Sequence, residues 1–193
     1  MTEKRRNIAE SVKDGIIGTI RGTGEIVNAA VDTVSGTLLK TIRETGAVAA
    51  ATTGAISDAL RGAILGASQV GGDVGGAAKG GVMGVLRAGK EVGVEATETI
   101  GTSARAVVKT TAEVGGDLAK ASKGAVEGAI MGAREVGLTA EAAAAAAATG
   151  ALQGAGEVST KAVEQVRDAV TGVISGVKVV AKEPFRREER KAG

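Results

Sequence analysis

Glu91-Val92-Gly93 reads EVG, and the same letters return at Glu113-Val114-Gly115 and Glu135-Val136-Gly137, then as EVS at Glu157-Val158-Ser159. Each copy lies 22 residues after the last. From Gly18 onward the chain can be written without a gap in rows of 22, beginning at residues 18, 40, 62, 84, 106, 128, 150 and 172. The third column of those rows is Ile20, Ile42, Ile64, Leu86, Val108, Ile130, Leu152 and Ile174. The ninth is Ile26, Val48, Val70, Val92, Val114, Val136, Val158 and Val180, and Glu25, Glu91, Glu113, Glu135 and Glu157 precede it. A 44-residue echo lies on top, since Gly71-Gly72-Asp73 matches Gly115-Gly116-Asp117.

The large apolar columns, 3, 9, 13, 17 and 21, with small or apolar residues also at 6 and 10, are separated mostly by steps of three and four, which is helical spacing. Twenty-two residues in six turns is an 11-residue repeat doubled. Such a repeat keeps an apolar stripe on one side of an α-helix or winds paired helices into a right-handed supercoil. An inserted residue would rotate all that follows by about 100°. The unbroken phase therefore predicts an all-α protein of long amphipathic helices. They form either one extended helix or helices doubled back at repeat junctions into a bundle or higher assembly. A β-solenoid of 22-residue coils is the rival. The spacing, the alanine run Ala142–Ala148 and the scarcity of Asn and Pro turns argue against it.

The ends differ from the array. Residues 1–6 read as a charged tail, with Asn7 as N-cap and Glu10 in capping-box position. Residues 7–182 form the helical array. Pro184 then stops the helix, leaving residues 183–193 as a basic tail.

Of 193 residues, 44% are apolar, but these are mostly Ala and Val, and Phe185 is the one aromatic. Thirty-one are Gly. Each interior Gly costs a helix about 1 kcal/mol against Ala. A lone helix of this sequence should fray, so its stripe needs a partner, either lipid or another helix. Gly18/Gly22, Gly62/Gly66, Gly128/Gly132, Gly150/Gly154 and Gly172/Gly176 are GxxxG pairs in the same two columns. Such pairs let helix backbones approach closely, and they are read as a helix–helix seam.

Chemistry finds little to work with. There is no Cys and no His, hence no thiolate, no usual general base and no common metal ligand. Gly71–Gly80 is glycine-rich but lacks the GK[ST] ending of a phosphate loop. Carboxylates 22 residues apart on one helix stand about 33 Å from each other and read as a solvated face. Net charge is +2, without the basic field and stacking aromatics of a nucleic-acid binder. The expectation is a protein that is not an enzyme and uses no cofactor, metal, small-molecule substrate or specific nucleic acid. No secretory signal is visible, and the longest uncharged run falls short of the roughly 20 apolar residues of a span. An intracellular protein, peripheral on a membrane or lipid inclusion, is expected.

Lys123-Gly124-Ala125-Val126-Glu127-Gly128, Thr160-Lys161-Ala162-Val163-Glu164-Gln165-Val166 and Gly46-Ala47-Val48-Ala49-Ala50-Ala51-Thr52-Thr53-Gly54 resemble the 11-residue amphipathic repeats of synucleins, perilipins and group 3 late-embryogenesis-abundant proteins. The resemblance is one of period and composition. It implies a chain that coats a lipid or membrane surface as a helix, or one that protects against drying and stress. This chain carries more Gly, fewer Lys and a GxxxG column. A self-assembling bundle or filament, with copies of itself as partners, is therefore the alternative.

Overall fold

The computed structural model describes residues 2–19, 23–45 and 50–181. The EVG motif is a helix end. Gly71, Gly93, Gly115 and Gly137 all have φ between 64° and 75°, the left-handed conformation that glycine adopts without Cβ strain. The residue after each glycine closes the helix: Gly72, Val94, Gly116 and Leu138 donate to the carbonyls of Ala67, Gly89, Thr111 and Ala133 at 2.8–3.1 Å. Two residues after each glycine the next helix is capped. Asp73 accepts from the Gly75 amide, Glu95 from Thr97 and Glu98, Asp117 from Lys120, and Thr139 from Ala142. Ser159, which stands in the column of the turn glycines, caps α8 through the Ala162 amide. Each 22-residue unit is thus one helix plus its turn.

Among the described residues the elements are α1 (Thr2–Thr19), α2 (Thr23–Thr45), α3 (Ala50–Gln69), α4 (Val74–Val92), α5 (Ala96–Glu113) and α6 (Leu118–Gly132), the last continued by a 3₁₀ turn (Ala133–Val136). Then come α7 (Ala140–Val158), α8 (Thr160–Val170) and two short strands, β1 (Gly172–Ile174) and β2 (Val177–Val179). Alternate helices lie side by side, giving one layer of α1, α3, α5 and α7 and another of α2, α4, α6 and α8, with the closest packing in the pairs α1–α3, α5–α7, α2–α4 and α4–α6. The helices double back at the repeat junctions, so the 44-residue echo is one antiparallel helix pair.

The core lies between the layers and is built from Ile16, Ile26, Leu38, Leu60, Ile64, Leu86, Ile100 and Leu152 among many buried Ala and Val. With such small side chains the helices must sit close to exclude water. Polar side chains turned inward are satisfied locally: Thr99, Ser103 and Thr111 donate to the carbonyls four residues earlier at 2.6–2.8 Å. No buried side-chain nitrogen or oxygen among the described residues lacks a partner.

Four boundary expectations need correction. Helix α1 begins at Thr2, so residues 2–6 belong to it and Asn7 lies inside a helix rather than capping one. The helical array ends at Val170, not 182. The last row forms an antiparallel hairpin in which Gly172 faces Val179 and Ile174 faces Val177. Its two turn residues, Ser175 (φ 49°) and Gly176 (φ 80°), both have positive φ, as the twist of a two-residue hairpin favours. Finally, the rows slip near the N-terminus. Glu25-Ile26-Val27, the counterpart of EVG, lies within α2 instead of at a helix end. The Pro184 stop and the tail 183–193 lie outside the described residues.

Candidate functional site: glycine seams and the ion-pair ladder

The glycines mark where parallel helices touch. A Cβ placed on Gly62 would stand 2.3 Å from the Ala9 carbonyl oxygen, and one on Gly66 would stand 3.1 Å from that of Lys13. In the other layer Gly80 and Gly84 lie over the carbonyls of Val27 and Val31 at 2.3 and 2.7 Å. Further along, Gly124 and Gly128 lie over Gly75 and Lys79 at 2.1 and 2.4 Å, and Gly150 and Gly154 over Gly101 and Arg105 at 2.1 and 2.7 Å. Real Cβ atoms do not come within 3.0 Å of such atoms, so any side chain at most of these positions would force the helices apart.

The seam positions expected from the sequence divide accordingly. Gly62, Gly66, Gly128, Gly150 and Gly154 sit against a neighbouring backbone, while Gly132 meets the Leu86 side chain. Gly18 has open space beside it, and Gly22 lies outside the described residues. Gly172 and Gly176 belong to the hairpin and have nothing within 4 Å, a correction to their reading as a seam. The pairs Gly80/Gly84 and Gly124/Gly128 are not among those expected, because Gly80 and Gly124 stand in column 19, outside the two columns that hold the other pairs. Their GxxxG spacing was the available signal.

The apolar columns divide as well. Ile42, Ile64, Leu86, Val108, Leu152 and Ile174 are buried and Ile130 is partly so, while Ile20 lies outside the described residues. The ninth column is not a core stripe, since it falls at helix ends. Val92, Val114 and Val136 are half-buried, Val70 and Val158 are 40% and 43% exposed, and Val180 is 65% exposed. Ile26 is buried because its row is out of phase, and Val48 lies outside the described residues.

A ladder of charges runs beside the seams. Glu91 on α4 pairs with Arg43 on α2 at 3.4 Å, Arg87 with Asp32 at 3.3 Å, Arg61 on α3 with Glu113 on α5 at 2.5 Å, and Lys79 on α4 with Glu127 on α6 at 3.6 Å. Glu157 on α7 takes both Arg105 and Lys109 of α5, the latter at 2.7 Å. The glutamate column is therefore more than a solvated face: Glu91, Glu113 and Glu157 each bind the preceding helix of their own layer. Such half-exposed pairs contribute little individually. Spaced with the repeat, they fix which residue stands opposite which. The Lys109 hydrogen bond and the nearby Arg105 hold the Glu157 carboxyl below the usual carboxylate value, against a smaller opposing effect of burial. Glu95 is lowered by the Glu98 and Thr97 amides it caps.

Two clefts lie at helix ends. An open cleft of about 380 Å³ is lined by Leu86, Lys90, Val94, Thr99, Glu135 and Val136 among others. Another of about 600 Å³ runs between the turn at Gly115-Gly116-Asp117 and the start of α8. Gly71–Gly80 forms the α3–α4 turn and the buried first half of α4. No helix is long and apolar enough to cross a membrane among the described residues.

No protein-family model matches the chain, and no curated protein does. Among solved structures it is similar to the crystal structure of a de novo designed helical repeat protein, DHR7. The TM-score is 0.52 at 19% identity, over 88% of this chain and 92% of that one. At that identity the likeness is one of fold: an all-α helical repeat.

Proposed function

We propose that this is a non-enzymatic structural protein that works as a folded helical-repeat scaffold, with its exterior and not its apolar stripe as the working surface. One observation carries the reading. The third column of the stripe, which in a lone helix would need a lipid or protein partner, is buried inside the array, with Ile64 and Val108 fully buried and Leu86 and Leu152 at most 2% exposed. What faces outward is the charged ladder, suited to polar partners or to further copies of the chain.

The lipid-coating reading survives only in a conditional form. The same columns that fill the core would have to leave it to meet an acyl surface, so coating requires the array to open. Circular dichroism of the full chain in buffer and with anionic vesicles tests the proposal. A scaffold is helical in plain buffer, melts in one cooperative transition and gains no helix with lipid. A chain unstructured in buffer that becomes helical on vesicles would overturn the scaffold and restore the coating reading. Helix appearing only on drying would instead favour a stress protectant.

A further inference from the structure

We infer that the array has a built-in flexing joint between α3 and α5, where the α1–α3–α5–α7 layer parts while α2, α4 and α6 act as an unbroken spine. The argument starts in the repeat. Six of the eight first-column positions are Gly, and the row that belongs to α5 is one of the exceptions, with Ala106 and Thr110 where the rows of α3 and α7 have Gly62/Gly66 and Gly150/Gly154. Those α3 and α7 glycines are in contact with the backbones of α1 and α5, respectively. The helix that packs on α3 in this layer, α5, lacks the glycine pair.

The geometry agrees. Backbones approach closely between α1 and α3 and between α5 and α7, and much less between α3 and α5. Gly62 and Gly66 of α3 and Gly101 of α5 do not meet the backbone across the α3–α5 joint. In the other layer both successive joints are glycine-sealed, α2–α4 by Gly80/Gly84 and α4–α6 by Gly124/Gly128. The α6–α8 joint also lacks a seam, because Gly172 and Gly176 fall in the hairpin. It lies at the end of the array, where loosening frays a terminus and does not bend the whole.

Across the α3–α5 joint the half-exposed ion pair Arg61–Glu113 is a surface tether that is easily broken in water.

Spin-label distance measurements on the full chain give a matched test. Arg61→Cys/Glu113→Cys reports on the unsealed joint. Arg105→Cys/Glu157→Cys reports on the glycine-sealed α5–α7 joint of the same layer. The expected result is a distance distribution at least about twice as broad for the first pair, narrowed by adding Ala106→Gly and Thr110→Gly. Equal widths for the two pairs would overturn the inference. Because both label pairs remove ion-paired residues, hydrogen exchange on the unsubstituted protein serves as the second measurement. The central amides of α3 should exchange about tenfold faster than those of α7, and equal protection would also defeat the joint.

Discussion

Gly150 rides directly on Gly101: a Cβ at Gly150 would stand 2.1 Å from the Gly101 carbonyl oxygen. Glycine that is a handicap to a lone helix is here the condition for two helices to touch. Gly150→Ala should destabilise the protein by about 3 kcal/mol, the upper part of the overpacking range. For a chain of this size that lowers Tm by roughly 10 °C. Gly36, exposed within α2 with nothing within 4 Å, is the control. Gly36→Ala should stabilise by about 0.5–1 kcal/mol, the plain helix-propensity gain. Thermal unfolding followed by circular dichroism compares the two. Equal effects of one sign would remove the packing role of the seam.

The turns make their own prediction. Gly115 has φ 67°, so Gly115→Ala places a Cβ in the left-handed region at a cost of about 1–2 kcal/mol. Asp117→Ala removes the oxygen that accepts from the Lys120 amide at 3.0 Å, at about 1 kcal/mol. Urea denaturation should report both losses with little change in m-value. A substitution without effect at Gly115 would mean that the chain does not turn there.

How much of this was legible beforehand follows from those two residues. The 22-residue period, its helical spacing and the all-α class were readable because side-chain columns survive whatever the chain does between units. The turns were hidden by the same regularity. Copies of one unit keep phase because each is a copy, whether or not a helix runs through, so unbroken phase could not by itself decide between one rod and many hairpins. The deciding signal was local: Gly93 followed by Glu95, Gly115 by Asp117, and Gly137 by Thr139, a left-handed terminator and then an N-cap. Read as a row of glutamates and valines, that column looked like a stripe. Read as a boundary, it explains why Val70 and Val158 are exposed while Ile64 and Leu152 are buried. The seam partners were not legible, since which carbonyl lies under Gly62 depends on how many residues the intervening α2 and its turns take up.

Acidification should weaken the α5–α7 ladder. Glu157 titrates below its ordinary value of 4.5, held there first by the Lys109 hydrogen bond and then by Arg105. A carboxyl whose folded pKa is depressed stabilises the fold above its unfolded pKa and loses that contribution as pH falls through the folded value. The stability difference between the native protein and Glu157→Gln should therefore be constant from neutral pH down to about 4.5 and shrink below it. Because Lys109 is 45% and Glu157 34% exposed, solvent screening keeps the difference small, below about 1 kcal/mol. Urea midpoints measured for both proteins at several pH values check this. A gap that widens on acidification would have the wrong sign for an ionised Glu157.

The hairpin offers the last test, because it stands where helix was expected. Ile174 and Val179 are buried beneath it while Val173 is 73% exposed, so only one of its faces is anchored. A two-stranded hairpin is marginal by itself, and it should open locally before the helices do. Its turn carries a non-glycine residue, Ser175, at φ 49°, where Asn is the better fit. Ser175→Asn should slow amide exchange in β2 by about twofold to threefold, and Gly176→Ala should speed it by about tenfold, an energy near 1.4 kcal/mol. Neither should move the global melting temperature by more than about 2 °C, since the core between the helix layers is untouched. Exchange by NMR at Val177 and Val179 reads the local effect. Had the last row been helical, Gly176→Ala would protect these amides instead, so the sign of that one substitution separates the two structures.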